Sequence, residues 1–495
     1  MATNTWITFM VVLLVCYAAV ILFFVVRGAR KTANITDYAV GTIGFSPWVV
    51  GLSLAASMTS AATFIINPGF IALYGMAGFI SFGIVFPAAA LISLVIFTKG
   101  FARYGNKVKA TTMAQWMGKR YESKNYAFFF GILALLLITF IVLICVGITQ
   151  VISKSLNADP FYVLLGIVVF VFGYMMFGGA NSMVYTNTIQ AIIMFLVALI
   201  LISSGAEYFE NGITGFFEKL KTIDPNLTRT TNPDSFLFRD YFEIIVVQIV
   251  IGVAVVCQPH IITKSLLLKD SGKINTYLFS GIAFMVVFFL VVITGLYARI
   301  LFPDLTANGQ PLKMDEIIPT YVVVKFSVWV GMIIVIGLIS AGLSTLESLI
   351  QSLSATITSD ILEPLFKDRI TNHSIVVNKV VIVVLAVVSF ILSWQQITNP
   401  DVSVAIFAQN GVYAYFAAAF VPVLFGMFLK NVPTRAVFVA SVIAIVVHFG
   451  IYYGRITPYM QEEVNNPGIS AAIAIVISVI AAYILYLFRP KTRMI

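Results

Sequence analysis

The chain has 495 residues, of which 60% are hydrophobic and only 10% charged, with a mean hydropathy of +1.00. Soluble domains carry about 25% charged residues, so an ordinary aqueous surface is excluded, and with it a string of soluble domains. A net charge of +9 would point to nucleic acid in a soluble protein, but the distribution of the charges along this chain argues against a nucleic-acid partner.

A membrane-crossing helix needs about 20 predominantly apolar residues. Such runs fall at 5–26, 47–72, 78–98, 126–153, 160–178, 184–204, 241–263, 275–302, 328–358, 375–395, 404–428, 436–453 and 469–488. They are too long and too uniformly apolar for the alternating strands of a barrel. Helices are therefore expected throughout, giving an all-α polytopic membrane protein with 13 spans. The first run lacks a basic leader and is followed by Arg27, Arg30 and Lys31, as expected of a first span rather than a cleaved signal. Cys16, Cys145 and Cys257 all lie in apolar stretches without C-x-x-C spacing, so neither a disulfide framework nor a zinc site is indicated.

Alternate loops collect the basic residues: Arg27, Arg30 and Lys31; the cluster from Lys99 to Lys124; Lys264, Lys269 and Lys273; Lys367, Arg369 and Lys379; Lys430 and Arg435; and Arg489, Lys491 and Arg493. That side holds 21 of the 30 basic residues and 6 of the 21 acidic ones. The excess makes it cytoplasmic, with the N-terminus outside and the C-terminus inside an inner or plasma membrane, a topology that 13 spans satisfy. The positive charge then reflects topology and contact with anionic lipid. On the other side, 205–240 is expected to be a long loop with turns at Asp224-Pro225 and Asn232-Pro233, and 303–327 to end in a short amphipathic helix.

Polar groups inside such spans cost free energy and mark candidate sites. In span two, Leu54 to Thr63 contains only alanines and hydroxyl residues apart from Leu54 and Met58, and Pro68-Gly69 follow as a break point near the outer end. The run reads either as close packing through small residues or as an unwound segment whose carbonyls line a cavity. In span nine, Ser340-Ala341-Gly342-Leu343-Ser344-Thr345-Leu346-Glu347-Ser348 places Ser344, Glu347 and Ser348 on one helical face. A lone serine there usually bonds its own i−4 carbonyl. A mid-helix carboxylate, at about 2.5–3.5 kcal/mol on insertion scales, needs a cation, a proton or a water-filled cavity. Hydroxyls, carbonyls and one carboxylate form a hard-oxygen set suited to Na+ and not to a transition metal. In span seven, Pro259 of Cys257-Gln258-Pro259-His260 removes a ladder hydrogen bond, and Gln258 and His260 are expected to cap the freed carbonyls near the cytoplasmic mouth, close to Lys264.

Four stretches in order resemble the solute:sodium symporter family over nearly the whole chain. They are L-x-x-A-x-x-x-x-S-A-x-x-F-I-x-x-P-G from Leu52, G-G-x-x-x-x-x-x-T-N-x-x-Q from Gly178 to Gln190, Q-P-H-I at Gln258, and A-G-L-S-T-L-E-S from Ala341 with S-A-x-I-x-x-D from Ser354 to Asp360. The external stretches around Asp224-Pro225 and Pro303-Asp304 are most similar to the family's sodium/pantothenate type. The resemblance implies a leucine-transporter-like fold, with spans 2–6 and 7–11 as a 5+5 inverted repeat. One integral domain, 1–495, is then expected to comprise an extra first helix and loop (1–46), two repeats (47–204 and 241–428) and two C-terminal helices (429–495).

The resemblance also implies a common sodium site formed by the backbone carbonyls of Ala56, Thr59 and Ala341 with the hydroxyls of Ser344 and Thr345. Some members hold a second sodium through an aspartate of span six, where this chain has Asn187. Either Glu347 supplies that anion beside Asn187 and Ser348, or the second site is lost and Glu347 binds a proton or faces a polar vestibule. By the same analogy the solute lies among Met58, Ser60, Thr63, Phe82, Val85, Val250, Val253, Ala254, Gln409 and Asn410. Spans three and four offer no arginine to clamp a carboxylate.

The implied protein is a monomeric transporter and not an enzyme. It imports a small, partly apolar solute with Na+ and without an organic cofactor, the solute being an organic anion such as pantothenate or a monocarboxylate. A sugar, sialic acid or amino acid stays open. A sodium channel and a sensor module are the readings from other classes, and the second is disfavoured by the absence of a signalling domain before Ile495.

Overall fold

Lipid offers no hydrogen-bond partner, so a chain this apolar satisfies its backbone in helices. The computed structural model describes residues 4–268, 270–307, 309–366, 370, 373–399, 403–461 and 464–488. Lys269, Lys367, Arg369, Arg489, Lys491 and Arg493, counted above on the basic side, lie outside the described residues. Among the described residues, eleven helices are long and apolar enough to cross a membrane: Ile7–Ala29, Met76–Val108, Lys124–Leu156, Pro160–Gly178, Ala180–Phe209, Ile274–Leu301, Val328–Phe366, Ser374–Thr398, Val404–Phe428, Thr434–Gly454 and Pro467–Leu487. Two bent pairs bring the spans to 13: Pro47–Met58 with Ala62–Tyr74, bent by 54°, and Phe242–Val255 with Pro259–Leu267, bent by 57°.

The bent pairs are spans two and seven, the opening helices of the two five-span halves. Nearly equal bends at equivalent places are the mark of the leucine-transporter-like 5+5 arrangement. Span nine runs through the centre and touches spans two, four and six. Every residue from Ile334 to Thr356 is buried, as a helix surrounded on all sides requires.

The break in span two does not fall at Pro68-Gly69. The first half ends at Met58, and Thr59 leaves the helix with φ −105° and ψ 107°. Pro68 instead starts a regular helix, Asn67–Tyr74, directly after a π-helical stretch at Ala62–Ile66. Its missing N–H falls at the first turn of that segment, where proline is tolerated. Gly69 is small because the Met314 carbonyl oxygen lies 2.4 Å from where a Cβ would sit.

The segments 205–240 and 303–327 are more ordered than their turn signals imply. Residues Gly212–Ile223 form a helix that buries Phe216 and Leu220 against Tyr297. Asp224 caps the 3₁₀ turn Pro225–Thr228 through the Asn226 N–H at 2.8 Å, and Asn232 donates to the Tyr74 carbonyl at 3.1 Å. Within 303–327 a two-residue hairpin, Thr306–Ala307 against Gln310–Pro311, precedes the helix Ile317–Lys325. That helix buries Ile317, Ile318, Tyr321 and Val322. Lys154 meets Glu316 at 3.2 Å and Lys325 pairs with Glu207, so residues assigned to one face from sequence meet on one face.

Span two packs on span eight without room for a side chain at Gly51. A Cβ there would lie 1.9 Å from Ser280 Oγ and 2.5 Å from the Tyr277 carbonyl oxygen. Overpacking of this kind costs about 1–3 kcal/mol. Gly51→Ala is expected to lower the unfolding midpoint of the detergent-purified protein by that equivalent, and an unchanged midpoint would refute the close approach.

Candidate functional site

Where span two breaks, the carbonyls of its last turn lose their i+4 partners. Span nine supplies hydroxyls in their place. Ser344 Oγ lies 2.7 Å from the Ala56 carbonyl and 3.1 Å from that of Ala341. Thr345 Oγ1 lies 3.1 Å from the Ser57 carbonyl and 3.4 Å from that of Ala341. All of these groups are fully buried. Four of the five residues named for the common site, Ala56, Ala341, Ser344 and Thr345, thus converge, and the Ser57 carbonyl joins them. Thr59 occupies the break itself, with its hydroxyl turned back to the Ala55 carbonyl at 2.6 Å. A set of neutral oxygens without nitrogen or sulfur fits an alkali cation, and among the described residues no group of His, Cys, Asp and Glu could hold a transition metal.

Asn187, Glu347 and Ser348 also come together, in a second polar layer. Ser57 and Ser348 hydroxyls lie 2.8 Å apart. Glu347 Oε1 accepts from Tyr174 at 2.6 Å and Gln190 at 3.0 Å, and Oε2 from Thr186 at 2.5 Å. The carboxylate is thus engaged by spans five and six, while Ser344 and Thr345 bond span two.

The Asn187 amide has Gln190 Oε1 and Glu347 Oε2 on one side, and Ser57 Oγ, Ser348 Oγ and Lys264 Nζ on the other. Its neighbours orient it. Nitrogen toward the first pair and oxygen toward the second three leaves no acceptor facing an acceptor, and puts Lys264 Nζ 3.0 Å from the amide oxygen. Lys264 was assigned above to the cytoplasmic loops. It is only 3% exposed, and its ammonium donates to the Ser53 carbonyl at 3.1 Å and the Ser53 hydroxyl at 2.7 Å. The break at Gln258-Pro259 folds the chain inward, which a count of charges between apolar runs does not detect.

A cavity of about 110 Å³ opens beside the break in span two. Of the ten residues expected around the solute, Met58, Ser60, Thr63, Phe82 and Gln409 line it, whereas Val85, Val250, Val253, Ala254 and Asn410 do not. Val253 lies behind the wall, its carbonyl taken by Ser93 at 2.6 Å. Asn410 turns to the twelfth span, where its amide nitrogen meets Tyr453 at 3.1 Å and its amide oxygen meets His448 at 2.9 Å. Lining residues not foreseen include Asn67, Phe86, Phe140, Phe289 and Tyr413. The aromatic members look like any lipid-facing apolar residue in sequence, and only the rotation of spans three, four, eight and eleven brings them to the cavity.

Gln258 and His260 line the same cavity, and among the described residues neither side chain donates to a freed carbonyl as expected. Gln258 Oε1 and His260 Nδ1 are buried without a hydrogen-bond partner among the described residues. Buried polar atoms normally find partners, so these two are available to a ligand.

Paired broken helices around a mid-bundle oxygen cage and a solute-sized cavity define a secondary transporter. The family model for sodium:solute symporters matches residues 38–444. The chain belongs to the sodium:solute symporter family and is a multi-pass membrane transporter, not an enzyme. It is 27% identical to the sodium/pantothenate symporter of Haemophilus influenzae over 68% of each chain. With the sodium/pantothenate symporter of Escherichia coli it shares 24% identity over 77% of this chain and 78% of the relative. The high-affinity proline transporter of Bacillus subtilis is 24% identical, over 81% of this chain and 83% of its own. Among solved structures, the substrate-bound outward-open state of a Na+-coupled sialic acid symporter superposes with a TM-score of 0.77. It shares 18% identity and covers 98% of this chain and 99% of that one.

Proposed function

We propose that the chain is a sodium-driven symporter that imports a small organic solute, an organic anion such as pantothenate or a monocarboxylate, by alternating access. The observation that carries this reading is the meeting of the Ser344 and Thr345 hydroxyls with the Ala56 and Ser57 carbonyls at the break in span two. A cation held there ties span two to span nine and favours the form in which they touch. Residues 47–204 and 241–428 act as the two halves, with the N-terminus outside and the basic loops in the cytoplasm of an inner membrane.

The cavity is near the roughly 150 Å³ that holds a benzene ring, which favours a short monocarboxylate over the larger pantothenate. Among the described residues the cavity wall contains no lysine or arginine, so an anionic group would rest on hydroxyls, the helix start at Ala62 and the adjacent cation. The proline transporters among the relatives favour a zwitterion as the second reading.

Counterflow in proteoliposomes against a panel of labelled monocarboxylates, pantothenate, proline, sialic acid and hexoses, with Na+ or K+, tests the proposal. Exchange of one compact anion in Na+ only is the expected result, and exchange indifferent to the cation would reject it. Gln258→Ala and His260→Ala are each expected to raise the KM for that solute about 5- to 150-fold, the cost of 1–3 kcal/mol for an unmade buried hydrogen bond. Sodium half-saturation should stay the same; a shift in it with KM unchanged would count against a role in solute binding.

A further inference from the structure

Lys264 is the feature the symport reading leaves unexplained. Its ammonium is enclosed by three oxygens, the Ser53 carbonyl at 3.1 Å, the Ser53 hydroxyl at 2.7 Å and the Asn187 amide oxygen at 3.0 Å. Two of these oxygens, the carbonyl and the amide, can only accept, so the Lys264 nitrogen donates to both. On the far side of the same amide, the Asn187 nitrogen lies 3.2 Å from Glu347 Oε2, and Tyr174, Thr186 and Gln190 complete the shell of the carboxylate. Lysine and glutamate flank a single amide. They sit on spans seven and nine, the amide on span six and Ser53 on span two.

The geometry points to Lys264 as a tethered cation that neutralises Glu347 and occupies, with its ammonium, the oxygen pocket formed by Ser53 and Asn187, whose amide oxygen also accepts from Ser57 and Ser348. This layer then takes no mobile ion, and the transporter binds one Na+, between spans two and nine. Removing a lone charge from such a pair leaves the other buried and uncompensated, so loss of the ammonium creates a second, anionic cation site lined by neutral oxygens. Lys264 is in this sense a residue that determines ion stoichiometry, an inference that rests on the sodium-symport reading.

Saturation binding of ²²Na+ to the purified full chain tests it. Wild type is expected to bind one ion per protein, Lys264→Ala two, and Lys264→Ala/Glu347→Gln one again, because the anion that would hold the second ion is gone. Lys264→Arg, which keeps the charge, is expected to stay at one. Two ions in wild type would overturn the inference whether or not the alanine variant folds, and so would a single ion of unchanged affinity in Lys264→Ala. No saturable ion in wild type is a different failure, that of the symport reading itself.

Discussion

Replacing Ser344 and Thr345 together by alanine is expected to abolish sodium-driven uptake while leaving the protein folded. Each hydroxyl removed deprives the cation of one oxygen, and bonds between a charge and a neutral oxygen are worth about 1.5–3 kcal/mol each. Two such losses raise sodium half-saturation by roughly 10²- to 10⁴-fold, beyond practical concentrations. The same hydroxyls also partner the Ala56 and Ser57 carbonyls, so some loss of stability accompanies the effect. Ser344→Thr keeps an oxygen and should recover part of the affinity. Sodium titration of uptake in proteoliposomes checks this, with unfolding midpoints as the control. Uptake at unaltered half-saturation in the double variant would remove spans two and nine from the coupling mechanism.

Glu347→Ala is expected to have the largest effect on stability. The carboxylate accepts from Tyr174, Thr186 and Gln190, and its removal leaves those donors facing a void and Lys264 without its counter-charge. Breaking a buried pair in this way costs about 3–5 kcal/mol. Glu347→Gln preserves shape and should cost less. Combining Glu347→Ala with Lys264→Ala should cost less than the sum of the two single changes, since neither charge is then orphaned. Unfolding of the four purified proteins in detergent measures the cycle. Strict additivity would show that the amide of Asn187 transmits no interaction between the two charges.

Much of the fold was legible because lipid imposes a simple rule: length and apolarity locate helices, and all thirteen runs correspond to spans. The central helix was legible for the opposite reason. Serines, threonines and a glutamate are expensive in lipid, so the run from Ser340 to Ser348 could only be enclosed. What the sequence concealed depends on where the chain bends. Pro68 looked like the break in span two, yet proline is at ease at a helix start, and the bend falls instead at Thr59, which carries no such mark. Gln258-Pro259 was visible, but its consequence, the burial of Lys264, was not: a lysine between two apolar runs reads as a loop residue until the bend turns it toward Ser53. Of the residues expected around the solute, Met58, Ser60 and Thr63 lie next to the break and line the cavity, whereas Val250, Val253 and Asn410 do not, because their facing depends on helix rotation. Asn410 in particular has the polarity of a binding residue but spends it on His448 and Tyr453.

The direct measurement of the central claim, that a desolvated sodium ion ties the broken span two to span nine, is calorimetric titration of the purified protein with NaCl against a KCl control. Wild type should give a saturable, sodium-specific heat, and the Ser344→Ala/Thr345→Ala protein none. Absence of a sodium-specific heat from wild type, or an equal heat from the folded double variant, would contradict it.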